Sequence, residues 1–517
     1  MSRIIDLLYN KTSGRLTIGG GGGGDIQDFI GATPTSSGAA GLVPAPQVGD
    51  ETKFIRGDGT FAAPTVMWSV GPYAYNDYSS VAAALTDANA QATGGGLIQI
   101  DVEAGIYNET SFDLNNQYVA LKGKGRGITT FYGTIAATSF LELTDITMYG
   151  NINIDPSPGT MVFRRLTIYG TIINDSTDTS GSLLFDSVEA AFQINGGSST
   201  RLINCAGGVT LQQTAPDSTY TIEVRGGSFS SFTVNPQVGW TNPVIKLVGV
   251  DFSGAFTVNS ANPNTVPQLL ITNCSFTSTD APVVSFSNLS VKLDNCSFRR
   301  RIITSDVCVF TAASCTFNVI SNSQSITGNS NTFDNCTFNG ECVVEGTGSP
   351  EVWFRGCVFN ETFSQTRRGG TINRYTNCVF QGISTFTTGS GGSFPFPRFR
   401  NCTFDTGTDF PGVIVTYEGG ATFLGCEING GVQWQTSVDS ASEMINCTLF
   451  GGNFIANLPS TADLYMVGTI FHDDGTLISN LTPNVLTVRT GSNNAKFSSA
   501  TMFGANVTSS VFYTSNQ

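Results

Sequence analysis

Twelve cysteines, a single histidine (His472) and 39 acidic residues are the side chains of this 517-residue chain that could carry chemistry. A protein metal site needs Cys or His donors at short spacing, as in C-x-x-C. No C-x-x-C occurs and one His cannot complete a mixed set, so neither a metal nor a cofactor is expected. Disulfide frameworks crowd their cysteines into small domains, whereas these recur periodically, which reads as free thiols in a reducing compartment. Glycoside hydrolysis needs two carboxylates about 5 to 10 Å apart, and stacked coils could bring such a pair together. Asp334 with Glu341, and Asp473 with Asp474, are the pairs on offer. Lyase chemistry wants a cation beside a carboxylate, for which Arg300, Arg301 and Asp306 are the weak set. All these acids read more simply as solvated turn carboxylates, and no acidic cluster repeats in one register, so no catalytic residue is assigned. Binding sugar without cleaving it would use exposed rings, with Trp240, Trp353 and Trp434 as platforms and core packing as the weightier role for each.

The cysteines point to the elements that position everything else. Cys274, Cys296, Cys315, Cys336, Cys357, Cys378, Cys402, Cys426 and Cys447 follow one another by 22, 19, 21, 21, 21, 24, 24 and 21 residues. Looser registers continue upstream through Val250, Gly227, Cys205, Ser187, Leu166 and Ile146 and downstream to Gly468, sixteen in all. Each unit holds short alternating runs such as LLITNCSF and FRGCVF between Gly/Ser/Asn/Pro clusters, so one unit is one turn of a strand solenoid. The fold class expected is all-β: a parallel β-helix of about sixteen coils of about 21 residues.

Before the aligned position stand Asn273, Asn295, Asn335, Gly356, Asn377, Asn401, Gly425 and Asn446, with Val467 breaking the rule. Asn and Gly enter the left-handed backbone region most cheaply, so this site is a tight bend. The Asn side chains are expected to be buried there and to stack coil on coil, which argues against glycosylation of the N-x-S/T strings. Cys and the aromatic two residues later share one strand face and should form interior columns.

Bulk composition narrows the partners. Charged residues are 12% and the net charge is −14, so a nucleic-acid backbone is repelled. Basic patches are confined to Arg299–Arg301 and Arg367–Arg368. No apolar run of about eighteen residues occurs, so membrane insertion is not expected, and the first twenty residues do not read as a secretion signal. The chain divides into an arm and six-glycine tether over 1–24, a neck over 25–67, the solenoid over 68–472 and a cap that also joins subunits over 473–517. Arg56-Gly57-Asp58 reads as a chance tripeptide, not an integrin ligand.

Ahead of the coils, Ser79 or Ser80 can cap a short helix whose face is Val81, Ala84, Leu85 and Ala88, followed by GGG, a strand, AGIY and LKGKG. This entrance resembles that of the pectin-lyase-like right-handed parallel β-helices, a superfamily of polysaccharide-degrading enzymes and bacteriophage tailspikes. That resemblance implies right-handed coils and a terminal lid. The pectinase-like hydrolase elements of that group include G-H-G, which a chain with only His472 cannot form.

Further upstream, GATPTSSGAAGLVPAPQVGDETKFIRGDGTF (31–61) is similar to a short segment common in bacteriophage tail-fibre and other virion appendage proteins. Gly31, Ala32, Thr33, Gly41, Leu42, Val43, Pro44, Phe54, Gly57, Asp58, Gly59 and Thr60 carry the match, with Phe61 where those proteins often have Trp. The resemblance implies a virion protein assembled in the host cytoplasm, a homotrimer docked to other tail or baseplate proteins through its N-terminal arm, and a host surface glycan as ligand. Adsorption without catalysis is the leading expectation. A polysaccharide depolymerase, or a capsid or tail decoration protein, is the alternative.

Overall fold

The computed structural model describes residues 66–91 and 96–155, the coil strands between 160 and 490 without most of the loops joining them, and short strand pairs within 7–62. The chain forms two units, residues 1–172 with 181–188, and residues 173–180 with 189–517.

In the first unit, helix α1 (Val81–Gln91) buries Val81, Ala84, Leu85 and Ala88, the face expected from their spacing. Its first turn is held from a distance. Glu109 accepts from the backbone N of Val81 (2.8 Å) and Ala82 (2.7 Å), putting a carboxylate where the helix dipole and the unpaired N–H groups favour one. Ser80 Oγ adds a third acceptor, for Ala83 N at 3.3 Å. The helix packs against the strand Gly105–Asn115, which carries Glu109. Behind it, Ile98–Val102, Val119–Lys122, Glu142–Thr144, Thr160–Arg164 and Ser182–Asp186 pair in parallel, one per coil.

The second unit repeats a coil of three short strands. Glu351–Arg355, Val358–Phe359 and Phe363–Arg367 pair in parallel with Arg374–Thr376, Val379–Phe380 and Ser384–Thr388 of the following coil. Short parallel strands linked by long crossovers are stable because every coil covers the hydrogen-bonding edge of the one before, and such crossovers are right-handed. The chain is therefore an all-β parallel β-helix, and α1 is its single helix among the described residues.

The bends lie where Asn and Gly recur. Asn273, Asn295, Asn335, Asn377, Asn401 and Asn446 have φ between 50° and 54°, and Gly356 and Gly425 have φ 61°. Ladder bonding continues through the kink, since Asn335 N donates to Arg355 O (2.7 Å) and Val358 N to Cys336 O (2.9 Å). After each bend the nine periodic cysteines, from Cys274 to Cys447, are buried. The aromatics form two continuous columns. Phe276, Phe298, Phe317, Phe338, Phe359, Phe380 and Phe404 stack with centroids 4.4 to 5.3 Å apart. Phe333, Phe354, Tyr375, Phe399 and Phe423 make the second column.

Four expectations are corrected. About eleven coils form rather than about sixteen, and upstream strands such as Ser199–Gln212 and Thr221–Asn235 run unbroken through their bend instead of dividing at it. Ser187 is itself the bend (φ 58°), so the interior residue there is Val188. Likewise Val467 and Ile470 lie opposite Ile445 and Thr448, which sets Gly468 at the bend position and buried Thr469 in the thiol column. Val467 therefore breaks no rule. Finally, the bend asparagines are exposed, since a left-handed kink throws the side chain outward while its neighbour turns in.

Candidate functional site

The described cysteines line the interior as thiols. Cys296, Cys336, Cys357, Cys378 and Cys447 each donate to the carbonyl two residues back and to one of the coil below, as Cys357 Sγ does to Arg355 O (3.5 Å) and Phe333 O (3.3 Å), a pattern that only the protonated form makes. Burial pushes Cys342 well up, and burial followed by contact with its thiol neighbours does the same to Cys402. These are inert core groups. Among the described residues no three His, Cys, Asp or Glu side chains group as metal ligands.

The carboxylate pairs do not assemble into a catalytic dyad among the described residues. Asp334 closes the strand Ser330–Asp334 and is gripped by Arg355 through Nε (2.6 Å) and Nη2 (3.1 Å). Glu341 lies beyond the bend and the next strand, exposed ahead of Cys342–Gly346. Asp473, Asp474, Arg300, Arg301, Asp306, Arg368 and Trp240 lie outside the described residues. Trp434 lies in the strand Val432–Gln435, with its side chain outside the described residues.

Two outward faces are built from repeated side chains. In the second unit, Trp353 stands between buried Val352 and Phe354 and so points outward, half-buried. The Arg374 guanidinium lies over its ring at 4.5 Å from the centroid, and Arg355 lies at 5.9 Å. The Arg374 guanidinium over the ring holds the indole on this outward face. Core packing, the role weighted more heavily for Trp353, does not describe it. Arg398 and Arg400 continue the same two outward columns one coil further on, in register with Arg374 and Thr376.

The other face lies in the first unit. Tyr132, Tyr149 and Tyr169 stack with centroids 4.7 and 4.6 Å apart and planes within 15°. They are 41%, 42% and 63% exposed. Each is followed by glycine, and Gly133 and Gly150 have φ 147°, a conformation open only to residues without a Cβ. A Cβ there would also strike the carbonyl oxygen of Glu109 or of Gly133. The glycines let the chain turn immediately after an outward tyrosine, so the rings pile up on the surface instead of entering the core. Sequence reasoning by Trp content missed this column, although its signal is plain: FYGTI, MYGNI and IYGTI recur at 131, 148 and 168.

Comparisons with family models, curated proteins and solved structures return no match to this chain.

Proposed function

We propose that this chain is a bacteriophage virion appendage, of tailspike or tail-fibre kind, whose parallel β-helix recognises polysaccharide on the host cell surface. The observation that carries the recognition half is the exposed tyrosine column Tyr132–Tyr149–Tyr169. A stack of half-exposed rings gains only a modest cross-strand stabilisation, and tyrosine is the side chain that binding surfaces accumulate, with an apolar body and a polar tip. Because the rings face one another, they present their edges and a row of hydroxyls to the outside. That row suits a hydroxyl-rich polymer lying along the coils.

The virion half rests on the 31–61 segment and its likeness to appendage proteins. A homotrimer attached through the N-terminal arm fits the reading. Three copies would raise a weak glycan contact through effective concentration. Eleven buried free thiols suit assembly in a reducing host cytoplasm. Adsorption without cleavage is favoured over depolymerisation because the best candidate carboxylate, Asp334, is committed to Arg355.

Two measurements test it. Antibody against the chain should label the outside of the phage particle, and soluble protein should compete for adsorption. Substituting Tyr132→Ala, Tyr149→Ala and Tyr169→Ala together should abolish retention on host polysaccharide while leaving the melting temperature within a few degrees. Retention equal to that of the unsubstituted protein removes the tyrosine column from the argument.

A further inference from the structure

We infer that the outward strip of Trp353, Arg374, Arg398 and Arg400 is a binding site for an acidic polysaccharide, carrying carboxylate or sulfate groups. The inference takes its biological setting from the surface-glycan reading above but stands on different residues.

Its basis is how the solenoid treats its other arginines. Where a guanidinium stands on an outward column, a carboxylate generally meets it, most often from a neighbouring coil. Arg164 meets Glu142 (3.1 Å), Arg165 meets Asp145 (2.6 Å), Arg201 and Arg225 share Glu223 (2.9 and 2.5 Å), and Arg355 holds Asp334 (2.6 Å). Arg374 reaches Glu351 at a looser 3.4 Å. Arg398 and Arg400 break the pattern, exposed and without an ion pair among the described residues. Their register neighbours explain why. Arg398 lies between Arg374 and Thr422, and Arg400 between Thr376 and Leu424, so neither column offers an acid on either side.

Adjacent parallel strands are about 4.8 Å apart, so Arg374 and Arg398 face each other as like charges, an arrangement that destabilises a sheet. In a chain with 39 acidic against 25 basic residues, leaving three guanidiniums together with one carboxylate among them runs against the composition. An external anion resolves the conflict. Two guanidiniums two residues apart on one strand, with a third in the preceding coil, can each fork onto a carboxylate or sulfate. Trp353, held under Arg374, adds a half-buried apolar edge beside them against which a sugar can rest. The anion is a glycan and not a nucleic acid because the surrounding field is that of a protein of net charge −14, and a duplex would meet it along its whole length. A sparsely charged polysaccharide touches only the strip.

The test uses the full chain and biolayer interferometry against immobilised hyaluronan, dextran sulfate, uncharged dextran and a DNA duplex. The unsubstituted protein should bind hyaluronan or dextran sulfate, ignore dextran and DNA, and lose affinity as salt rises. The double variant R398Q/R400Q should bind the same polyanion about tenfold more weakly, as expected for two lost charge-assisted contacts. In the absence of ligand, its melting temperature should be equal or higher, because like-charge repulsion is relieved. The Tyr132/Tyr149/Tyr169 triple alanine variant should leave polyanion binding unchanged. Failure to bind any polyanion, equal binding to dextran, DNA binding that the double variant also loses, or unchanged affinity in R398Q/R400Q each overturns the strip. If the variant behaves as expected but antibody fails to label phage particles, the strip stands and the appendage reading falls.

Discussion

Asn295 donates from Nδ2 to Oδ1 of Asn273 at 2.8 Å, across one coil of the solenoid. Both residues are at positive φ, and both side chains are exposed. Asn401 reaches Asn377 in the same way at 3.4 Å. The amides form a surface ladder as a consequence of the bend. A left-handed residue at the same place in every coil must project its side chain into one outward column, and Asn is the side chain that both tolerates the kink and bonds to its own copy. Where the next coil has Gly instead, the amide fills the gap: a Cβ on Gly226 would sit 2.5 Å from Asn204 Oδ1, and one on Gly425 would sit 2.8 Å from Asn401 Oδ1.

Gly356→Ala should therefore destabilise the second unit more than Asn335→Gly, although both leave the bend in place. At Gly356 an added Cβ meets Asn335 Oδ1 and the backbone sits at φ 61°, so a cost of about 1 to 2 kcal/mol follows. Asn335→Gly loses one exposed amide and keeps the conformation, within about 0.5 kcal/mol. Urea denaturation of the two variants compares them directly. Equal midpoints would mean that the bend is not strained against side chains.

The ring columns set the larger energies. Phe359 stacks on Phe338 and Phe380 at 4.8 and 4.7 Å and takes Phe354 and Phe363 edge-on. Phe359→Ala leaves a cavity between two coils and should cost about 3 to 5 kcal/mol by the same measurement. Phe359→Leu, which keeps most of the volume, should cost clearly less. A loss under about 1 kcal/mol for the alanine variant would show that the coils close up over the gap.

Thiol accessibility gives a third check. The eleven described cysteines are buried and free. The twelfth, Cys308, lies outside the described residues. A native sample should therefore expose at most one thiol to a disulfide reagent such as DTNB, and a denatured one all twelve. Several fast-reacting thiols in the native protein would contradict the interior columns.

The parts of this structure that sequence spacing revealed are those in which a single backbone requirement repeats. Asn exchanging with Gly ahead of Cys marks the kink, and Cys two residues before Phe marks the inward face, because both follow from local geometry. Exposure of Asn273 and Asn295 was misread because the direction of a side chain at a left-handed residue depends on the turn, not on the residue type. Asn204 and Gly226 bend inside long strands, so the register there is not marked by a break between two short strands. The tyrosine column escaped notice because an aromatic in a strand reads as core until the glycine after it is weighed. The unpaired charge at Arg398 and Arg400 depends on which coil lies above which, and the variable loops hide that from spacing alone.

Acid should weaken the first unit through one bend. The Arg165 guanidinium, bonding Asp145 through Nε (2.6 Å) and Nη2 (2.6 Å), holds the Asp145 carboxyl below its ordinary value against the opposing effect of burial. A carboxylate whose folded value is lowered binds fewer protons folded than unfolded. Its stabilisation is complete above the unfolded value of about 3.9 and is lost as pH falls through the lower folded value. Because Arg165 is half-exposed, the pair contributes only about 0.5 to 1 kcal/mol. Asp145→Asn isolates that charge cleanly, since Asn tolerates the φ of 62° that this bend requires. The variant should melt below the unsubstituted protein at pH 7, and the gap should narrow at pH 3 and in 1 M salt, where proton and counterion respectively remove the attraction. A gap that stays constant from pH 7 to pH 3 would assign the loss to packing at the bend and not to the ion pair.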